Sequence, residues 1–176
     1  MLRHPDYKHL KFGNLETVLN TSDNVHNPSM DWRLVSMIKE TASCKLVLKG
    51  ILHPEDAKLC VENGVDGFIV SNHGGRQLNG CIGSLDALPK IKAAVPDNYP
   101  IFLDGGVRTA EDILKAMLLG AKMVFLGRPI CYGLAIGGRA GVNHLWNILR
   151  EDLERNMKLM GIRNLRTLDS SQICKI

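Results

Sequence analysis

The sequence predicts an α/β protein with a parallel sheet, and three observations support that class. Short β-branched or apolar runs alternate with helical segments four times along the 176 residues, as four successive βα units. The runs at 68–70 and 123–126 are apolar on both faces, which is typical of parallel strands covered on both sides. Helix boundaries are well marked between the runs. A parallel sheet or barrel accounts for all three.

The predicted elements begin near residue 31. Apolar side chains at helical spacing predict a first helix over 31–41, and Asp31 suits its first turn because an acid there complements the helix dipole. The strands and helices that follow are predicted in chain order at 45–49, 54–63, 67–71, 85–94, 101–104, 110–119, 123–126 and 142–160.

Local signals predict several of these boundaries. Pro54 suits a first helical turn, where its missing N–H is not needed. Thr109 and Asp112 stand at the spacing of a capping box. Gly64 and Gly120 follow their helices at the position where chains often turn left-handed. These signals indicate short helices between the strands.

Composition indicates one globular domain and excludes several classes of function. Hydrophobic residues make up 45% of the chain, with 22 Lys and Arg against 18 Asp and Glu, so disorder is not expected. No apolar run approaches the roughly 20 residues of a bilayer-spanning helix. Aromatic residues, at 5%, are too few for nucleic-acid stacking platforms. Residues 1–28 are polar and show neither helical nor strand periodicity, which predicts an arm or loop. The same segment has no apolar run of the kind a secretory signal requires, which predicts an intracellular protein.

The cysteines predict neither disulfides nor a metal centre. Their number is odd, their spacing is wide, and no Cys-x-x-Cys pair or zinc-type histidine spacing occurs. They are expected to be reduced and structural, and they are Cys44, Cys60, Cys81, Cys131 and Cys174.

Reactive side chains follow all four predicted strands at the same end. Lys49 ends the first run, Ser71 and His73 end and follow the second, Asp104 ends the third, and Arg128 follows the fourth. The carboxyl ends of parallel strands and the following helix N-termini converge on one edge, where α/β proteins bind ligands. The sequence therefore predicts one shared pocket.

Two turns that combine glycine with arginine predict a phosphate site. The first consists of Asp104, Gly105, Gly106, Val107 and Arg108, and the second of Gly127 and Arg128. Glycine backbone that can approach a ligand closely, a helix N-terminus and a guanidinium are the parts of a phosphate cradle. Consecutive turns of this kind are typical of eight-stranded barrels. The alternative is that the glycines only make tight turns and the arginines are surface charges.

His73 and Arg76 predict proton transfer on a substrate that carries a carboxylate. Three residues apart in a glycine-rich turn, their side chains can face one cavity. Histidine is the usual general base near neutral pH, and arginine binds carboxylates through two parallel hydrogen bonds. A structural histidine is the alternative. Lys49 ends an apolar strand and, if buried, requires a partner, either a structural carboxylate or a cofactor that becomes anionic during turnover.

With these motifs the chain resembles the FMN-dependent 2-hydroxy acid oxidases and dehydrogenases, which include glycolate oxidase, hydroxyacid oxidase, lactate oxidase and the flavin domain of flavocytochrome b2. The resemblance runs from about residue 28 to residue 166, in the family's order and spacing. The histidine motif is the most specific of the matching stretches, which are 48–51, 69–78, 102–109, 125–129 and 157–161.

The resemblance implies a role for each candidate residue. Lys49 would lie against the flavin ring near N1 and O2 and stabilise the reduced flavin, and Ser71 would contact the same ring. His73 would take a proton from a 2-hydroxy acid such as glycolate, lactate or a longer-chain acid, and Arg76 would hold its carboxylate. The cofactor would be FMN, the product a 2-oxo acid and the acceptor oxygen. The ribityl phosphate would lie on the two turns, at Asp104, Gly105, Gly106, Val107, Arg108, Gly127 and Arg128.

The resemblance also implies the C-terminal half of a TIM (β/α)8 barrel, with residues 29–176 as part of one barrel domain and a homo-oligomer if the full barrel is present. Eight strands take about 250 residues, so further strands are expected upstream. Asn79 stands where the family usually has aspartate. The alternatives are an inactive half-barrel and another phosphate-binding flavin barrel such as type 2 isopentenyl diphosphate isomerase. The last residues, 174–176, resemble a peroxisomal Ser-Lys-Leu address, so the expected location is peroxisomal or otherwise cytoplasmic.

Overall fold

The computed structural model describes residues 30–168. The chain divides into two compact units, Met1–Leu34 and Val35–Ile176. Of the first unit only residues 30–34 are described, and they hold the beginning of the first helix. The predicted arm at 1–28 and the terminal tripeptide at 174–176 lie outside the described residues.

Strands and helices alternate as the sequence predicts. In chain order they are α1 (Trp32–Thr41), β1 (Val47–Ile51), α2 (Pro54–Glu62), β2 (Gly67–Val70), α3 (Ser84–Lys92), β3 (Ile101–Leu103), α4 (Ala110–Leu118), β4 (Met123–Val124) and α5 (Arg128–Leu159). Short 3₁₀ turns lie at His73–Gly75 and Leu165–Thr167. Apart from α5, the predicted boundaries differ from these by one or two residues.

The four strands form one parallel sheet in the order β1-β2-β3-β4. Phe68 pairs with Ile101, and Phe102 pairs with Met123. Because each strand lies next to the one before it in the chain, the sheet has the strand order of a barrel wall. The fold is therefore a partial (β/α)8 barrel of four βα units, which confirms the predicted fold class.

The core lies between the helices and one face of the sheet. Phe68, Val70, Ile101 and Leu103 are almost fully buried on that face, where α2 packs on β1 and β2 and α3 packs on β2 and β3. The alternate residues of the strands belong to the other face, because successive strand side chains point to opposite sides. That second face is more open in the described structure, where Val47 and Met123 are 40% and 52% exposed and Phe102 is half-buried.

The boundary signals read from the sequence are confirmed. Thr109 and Asp112 form a capping box at the start of α4. Pro54 opens α2 with the His53 ring as its N-cap, accepting from the Glu55 N–H. Gly64 and Gly120 both have the left-handed φ that stops a helix.

The last helix departs from the prediction. It begins at Arg128 and not near 142, and the chain breaks its direction at Gly138, where φ is +55°. The two arms approach so closely that a Cβ on Gly141 would collide with the carbonyl oxygen of Gly133. The predicted helix at 142–160 corresponds to the second arm, which follows this kink. The first arm, from Arg128, was not predicted because several glycines lower the helix propensity of this stretch. The same glycines allow the close crossing.

The described residues carry no feature of a membrane span or a metal centre. Across 30–168, no helix is both long and apolar enough to cross a membrane. In the same range no three His, Cys, Asp or Glu side chains group so as to hold a metal ion.

Burial raises the pKa of the Cys60 thiol to about 12, with Asp56 adding to the effect. The described cysteines are free thiols, and they are Cys44, Cys60, Cys81 and Cys131.

Candidate active site at the carboxyl ends of the strands

Four of the five residues predicted at the strand ends line one cavity of about 300 Å³. The fifth, Ser71, does not line it but hydrogen-bonds to Lys49 and Asp104, which do. Lys49, His73, Asp104 and Arg128 reach it from β1, β2, β3 and β4 respectively, and Arg76 lines it as well. The structure therefore brings groups from all four strand ends together at one cavity. The remaining phosphate-turn residues also line it, and they are Gly105, Gly106, Val107, Arg108 and Gly127.

Ser71 organises the polar groups at one side of this cavity. It is only 2% exposed, and its hydroxyl oxygen accepts from Lys49 Nζ at 2.9 Å and from the His73 N–H at 3.1 Å. Its hydroxyl proton is donated to the Asp104 carboxylate. A serine hydroxyl has one proton and two lone pairs, so all of its hydrogen-bonding capacity is used. Ser71 therefore links three strand ends through a single buried atom.

Lys49 has a carboxylate partner, which is one of the two alternatives that its position allows. Its Nζ lies 3.2 Å from Asp104 Oδ2. The lysine side chain is 43% exposed in the described structure, so Lys49 is not a buried cation there. A bulge between Lys49 and Ile51, with Gly50 at φ +109°, interrupts β1 at this point. Since so exposed a pair contributes only about 0 to 1 kcal/mol to stability, its main effect is to hold the ammonium group beside the cavity.

Asp104 has a different environment from the other residues of its turn. Its carboxylate is engaged by Lys49 and Ser71, and a second anion beside it would be repelled. This geometry favours a place for Asp104 on the lysine side of the cavity, with the phosphate contacts left to the glycines and arginines.

The two glycine-and-arginine turns fit a phosphate group, with one change from the sequence-based expectation. The N-terminus of α4 is capped by Asp112, whose carboxylate accepts from the N–H groups of Arg108 and Thr109 at 3.0 and 3.1 Å. The N–H groups of Arg108, Thr109 and Asp112 are therefore already satisfied within the chain, the last of them by the Thr109 hydroxyl. Gly106, at φ +79°, and Gly127 both have open space where a side chain would project. Open backbone beside two exposed guanidinium groups is suited to an anion.

The turn that carries His73 is strained. His73 has φ +56°, and among the described residues it is the one residue other than glycine with a positive φ. Such a conformation costs about 1 to 3 kcal/mol and persists only where surrounding contacts enforce it. Gly74 and Gly75 continue the left-handed path, and Arg128 Nη2 donates to the Gly74 carbonyl at 3.2 Å. The base candidate therefore lies on a turn that other parts of the site hold in place.

Two residues that support this turn were missed by sequence reasoning. Asn72 accepts from the Gly75 N–H through its side chain, and its own N–H donates to the buried Ser84 hydroxyl. An Asn three residues before a glycine is a known turn signal and could have indicated the first contact. Nothing local to Ser84 indicates the second, because its partner lies in another loop.

The fold and the cavity define a partial α/β barrel with two glycine-and-arginine turns and a histidine at the carboxyl ends of its strands. The family model of FMN-dependent dehydrogenases matches residues 2–175, and the chain belongs to that family. It is 51% identical over 148 residues to an L-lactate oxidase from Lysinibacillus sphaericus and 44% identical over 149 residues to human 2-hydroxyacid oxidase 1. These alignments cover 82% and 85% of this chain but only 38% and 40% of those proteins, so the chain spans about two fifths of their length.

A solved structure shows the same relation. A mandelate oxidase variant with an FMN monooxide adduct aligns with a TM-score of 0.76 at 39% identity. The alignment covers 80% of this chain and 45% of that one. The partial barrel is thus similar to part of a larger flavin-binding protein.

Proposed function

We propose that this chain forms the part of an FMN-dependent enzyme that oxidises a small 2-hydroxy acid to the 2-oxo acid, with oxygen as the acceptor. The observation that carries the proposal is the single cavity at which His73, Arg76, Lys49 and Arg128 meet. Family membership supports FMN as the cofactor. The relatives named L-lactate oxidase and 2-hydroxyacid oxidase support the substrate class and the acceptor.

The phosphate of FMN would be held by Gly106, Arg108, Gly127 and Arg128, for the reasons of space and charge given above. When bound, FMN supplies the acceptor for the two electrons removed from the substrate. Lys49 would face the flavin ring and favour negative charge on it, since its ammonium group is held beside the cavity by Asp104 and Ser71.

His73 would accept the proton of the substrate hydroxyl group while the carbon that bears it is oxidised. Histidine suits this step because its ordinary pKa lies near neutrality. Arg76, in the same cavity, would bind the substrate carboxylate through a bidentate pair and so direct the hydroxyl group toward His73. Oxidation of the hydroxyl to a carbonyl releases two electrons and two protons, which with oxygen yields one hydrogen peroxide for each 2-oxo acid.

A hybrid enzyme tests the proposal. Residues 30–168 replace the matching segment of the Lysinibacillus sphaericus lactate oxidase, and bound flavin, 2-oxo acid and peroxide are measured with glycolate, lactate and a longer-chain 2-hydroxy acid. We expect a yellow protein that forms 2-oxo acid and peroxide in equal amounts from at least one of them. A hybrid that binds FMN but oxidises none of the three acids would contradict the proposal and favour an inactive remnant.

A further inference from the structure

We propose that Asn72 and Ser84 are positioning residues that hold the His73 turn against the Gly105 turn and thereby set where the His73 imidazole meets the cavity. The consequence for turnover rests on the proposed function, whereas the contacts themselves do not. Neither residue belongs to the cavity's charged groups, and their effect would be exerted through His73.

Ser84 is a buried polar residue whose side chain does not cap its own helix. It is the first residue of α3 and 3% exposed, and the helix N-cap is Gly83, which makes no side-chain capping bond. The other buried residues of α3 are apolar, namely Ala87, Leu88 and Ile91. The Ser84 hydroxyl instead accepts from the Asn72 N–H at 3.2 Å. Because a buried hydroxyl without a partner is costly, this contact accounts for serine at the site.

Asn72 ties together the two ends of the loop that follows β2. Its Oδ1 accepts from the Gly75 N–H at 3.1 Å, and its Nδ2 donates to the Ile82 carbonyl at 3.3 Å. The backbone carbonyl of Asn72 also accepts from the Gly75 N–H, at 3.0 Å. Both termini of the loop are therefore fixed by the residue immediately before His73.

The Gly105 turn lies directly against this pair. A Cβ at Gly105 would stand 2.9 Å from Asn72 Oδ1 and 3.0 Å from Ser84 Oγ, both closer than ordinary side-chain contact. Gly105 is itself left-handed, at φ +90°. The turn that belongs to the predicted phosphate site is thus in contact with the side chains of Asn72 and Ser84, and it leaves no room there for a side chain of its own.

The strain at His73 makes such support necessary. A residue held at φ +56° returns to an ordinary conformation when its neighbours no longer enforce the turn. Relaxation would move the imidazole relative to the cavity and loosen the hydrogen bond from Arg128 to the Gly74 carbonyl, while leaving Arg108 and Gly127 in place. A displacement of about 1 Å at a reacting group lowers turnover by up to about a hundredfold. We therefore expect loss of turnover with little loss of cofactor.

Amide hydrogen exchange on the full 176-residue chain tests the contacts without any cofactor. In Ser84→Ala we expect the Asn72 amide to exchange about tenfold faster or more, while the Leu103 amide in β3 is unchanged. Ser84→Thr retains the hydroxyl and should restore the slow exchange. Ser43→Ala, which changes an exposed serine, should have no effect. An Asn72 amide that exchanges at the original rate in Ser84→Ala would overturn the proposal.

Kinetics of the hybrid enzyme test the positioning role. Per bound FMN, Ser84→Ala should lower kcat by about 10- to 100-fold with KM and FMN content nearly unchanged, and Ser84→Thr should recover most of the rate. Loss of FMN with normal turnover per bound FMN would overturn the positioning role. Normal turnover and normal FMN content would do the same. An unsubstituted hybrid that is inactive would contradict the proposed function only, because the exchange measurement still decides the contacts.

Asn72 provides a second pair of variants in case Ser84→Ala does not fold. Asn72→Ala removes both side-chain hydrogen bonds, and about a tenfold loss of kcat per bound FMN is expected. Asn72→Asp retains the acceptor for the Gly75 N–H and should be less impaired. Asn98→Ala, in an exposed turn away from the cavity, is the matched control. Equal rates in Asn72→Ala and Asn98→Ala would overturn the proposal.

Discussion

The two faces of the sheet are built from the same four strands and differ in what they bury. On the helix-covered face, Phe68 and Ile101 are fully enclosed. On the other face Phe102 meets Phe125 edge to face, with ring centroids 6.2 Å apart, and Phe125 is still 42% exposed. Lys49, at the carboxyl end of that second face, belongs to the cavity. Stability is therefore concentrated on one face and chemistry on the rim of the other.

The largest expected effect separates chemistry from stability. In the hybrid enzyme, His73→Gln should lower kcat by about 10² to 10⁴-fold, because glutamine cannot act as a general base. The unfolding transition and FMN content should stay the same, since the His73 side chain is exposed and carries no hydrogen bond of the core. Turnover near the original rate would show that another group takes the proton.

A matched pair of phenylalanines tests the difference between the faces directly. Phe68→Ala should lower the free energy of unfolding by about 3 to 5 kcal/mol, because it leaves a cavity in a closed core. Phe125→Ala should cost clearly less, since this side chain is already partly exposed. Urea unfolding of the full chain measures both. Equal losses would mean that the second face is as tightly packed as the first.

Arg128 should matter for the cofactor more than for the fold. Arg128→Ala removes a charge-assisted contact, and losing about 1.5 to 3 kcal/mol would weaken FMN binding by at least tenfold. Fluorescence of flavin released from equal amounts of hybrid enzyme measures retention, and Arg163→Ala, which changes an exposed arginine outside the cavity, is the control. Equal retention in the two variants would point to a phosphate site elsewhere.

Arg76→Lys tests the predicted substrate clamp. An ammonium group keeps the charge but cannot form the two parallel bonds of a guanidinium with a carboxylate. We expect KM for the 2-hydroxy acid to rise by about tenfold or more, with a smaller change in FMN content. An unchanged KM would remove Arg76 from substrate binding.

The sequence was sufficient to predict the fold class and the location of the cavity. Three signals predicted them: strands apolar on both faces, capping residues at helix ends, and ligand-binding groups directly after strands. Each signal is contained in a few consecutive residues, so it can be recognised without knowing the fold. Thr109 and Asp112 show this well, because four residues of sequence, 109–112, contain the entire capping box.

The features that were missed depend on contacts between distant segments. Asp104 pairs with Lys49 across the sheet, and Ser84 serves a turn twelve residues earlier. The exposed fraction of the Lys49 side chain depends on which groups pack against the second face of the sheet. No local sequence pattern predicts it. The two arms of α5 meet at Gly133 and Gly141. Glycine has a low helix propensity, so these residues do not predict the helix from local sequence. Their role in the crossing is visible only in the folded structure.

The smallest expected effect concerns pH and comes from the end of the sheet opposite the cavity. Asp66 precedes β2, and its pKa is lowered by a hydrogen bond from Lys39, by the Leu46 N–H and by the charge of Lys39. A carboxylate whose pKa is lower in the folded state stabilises the fold above its unfolded pKa, about 4, and this contribution is lost as the pH falls through the folded value.

Urea midpoints measured from about pH 6 down to pH 3 should therefore fall more steeply for the original chain than for Asp66→Asn. The two midpoints should converge at the acid end. Lys39→Met should flatten the profile as well, because it removes the principal partner. Parallel profiles for all three proteins would show that Asp66 does not link folding to protonation.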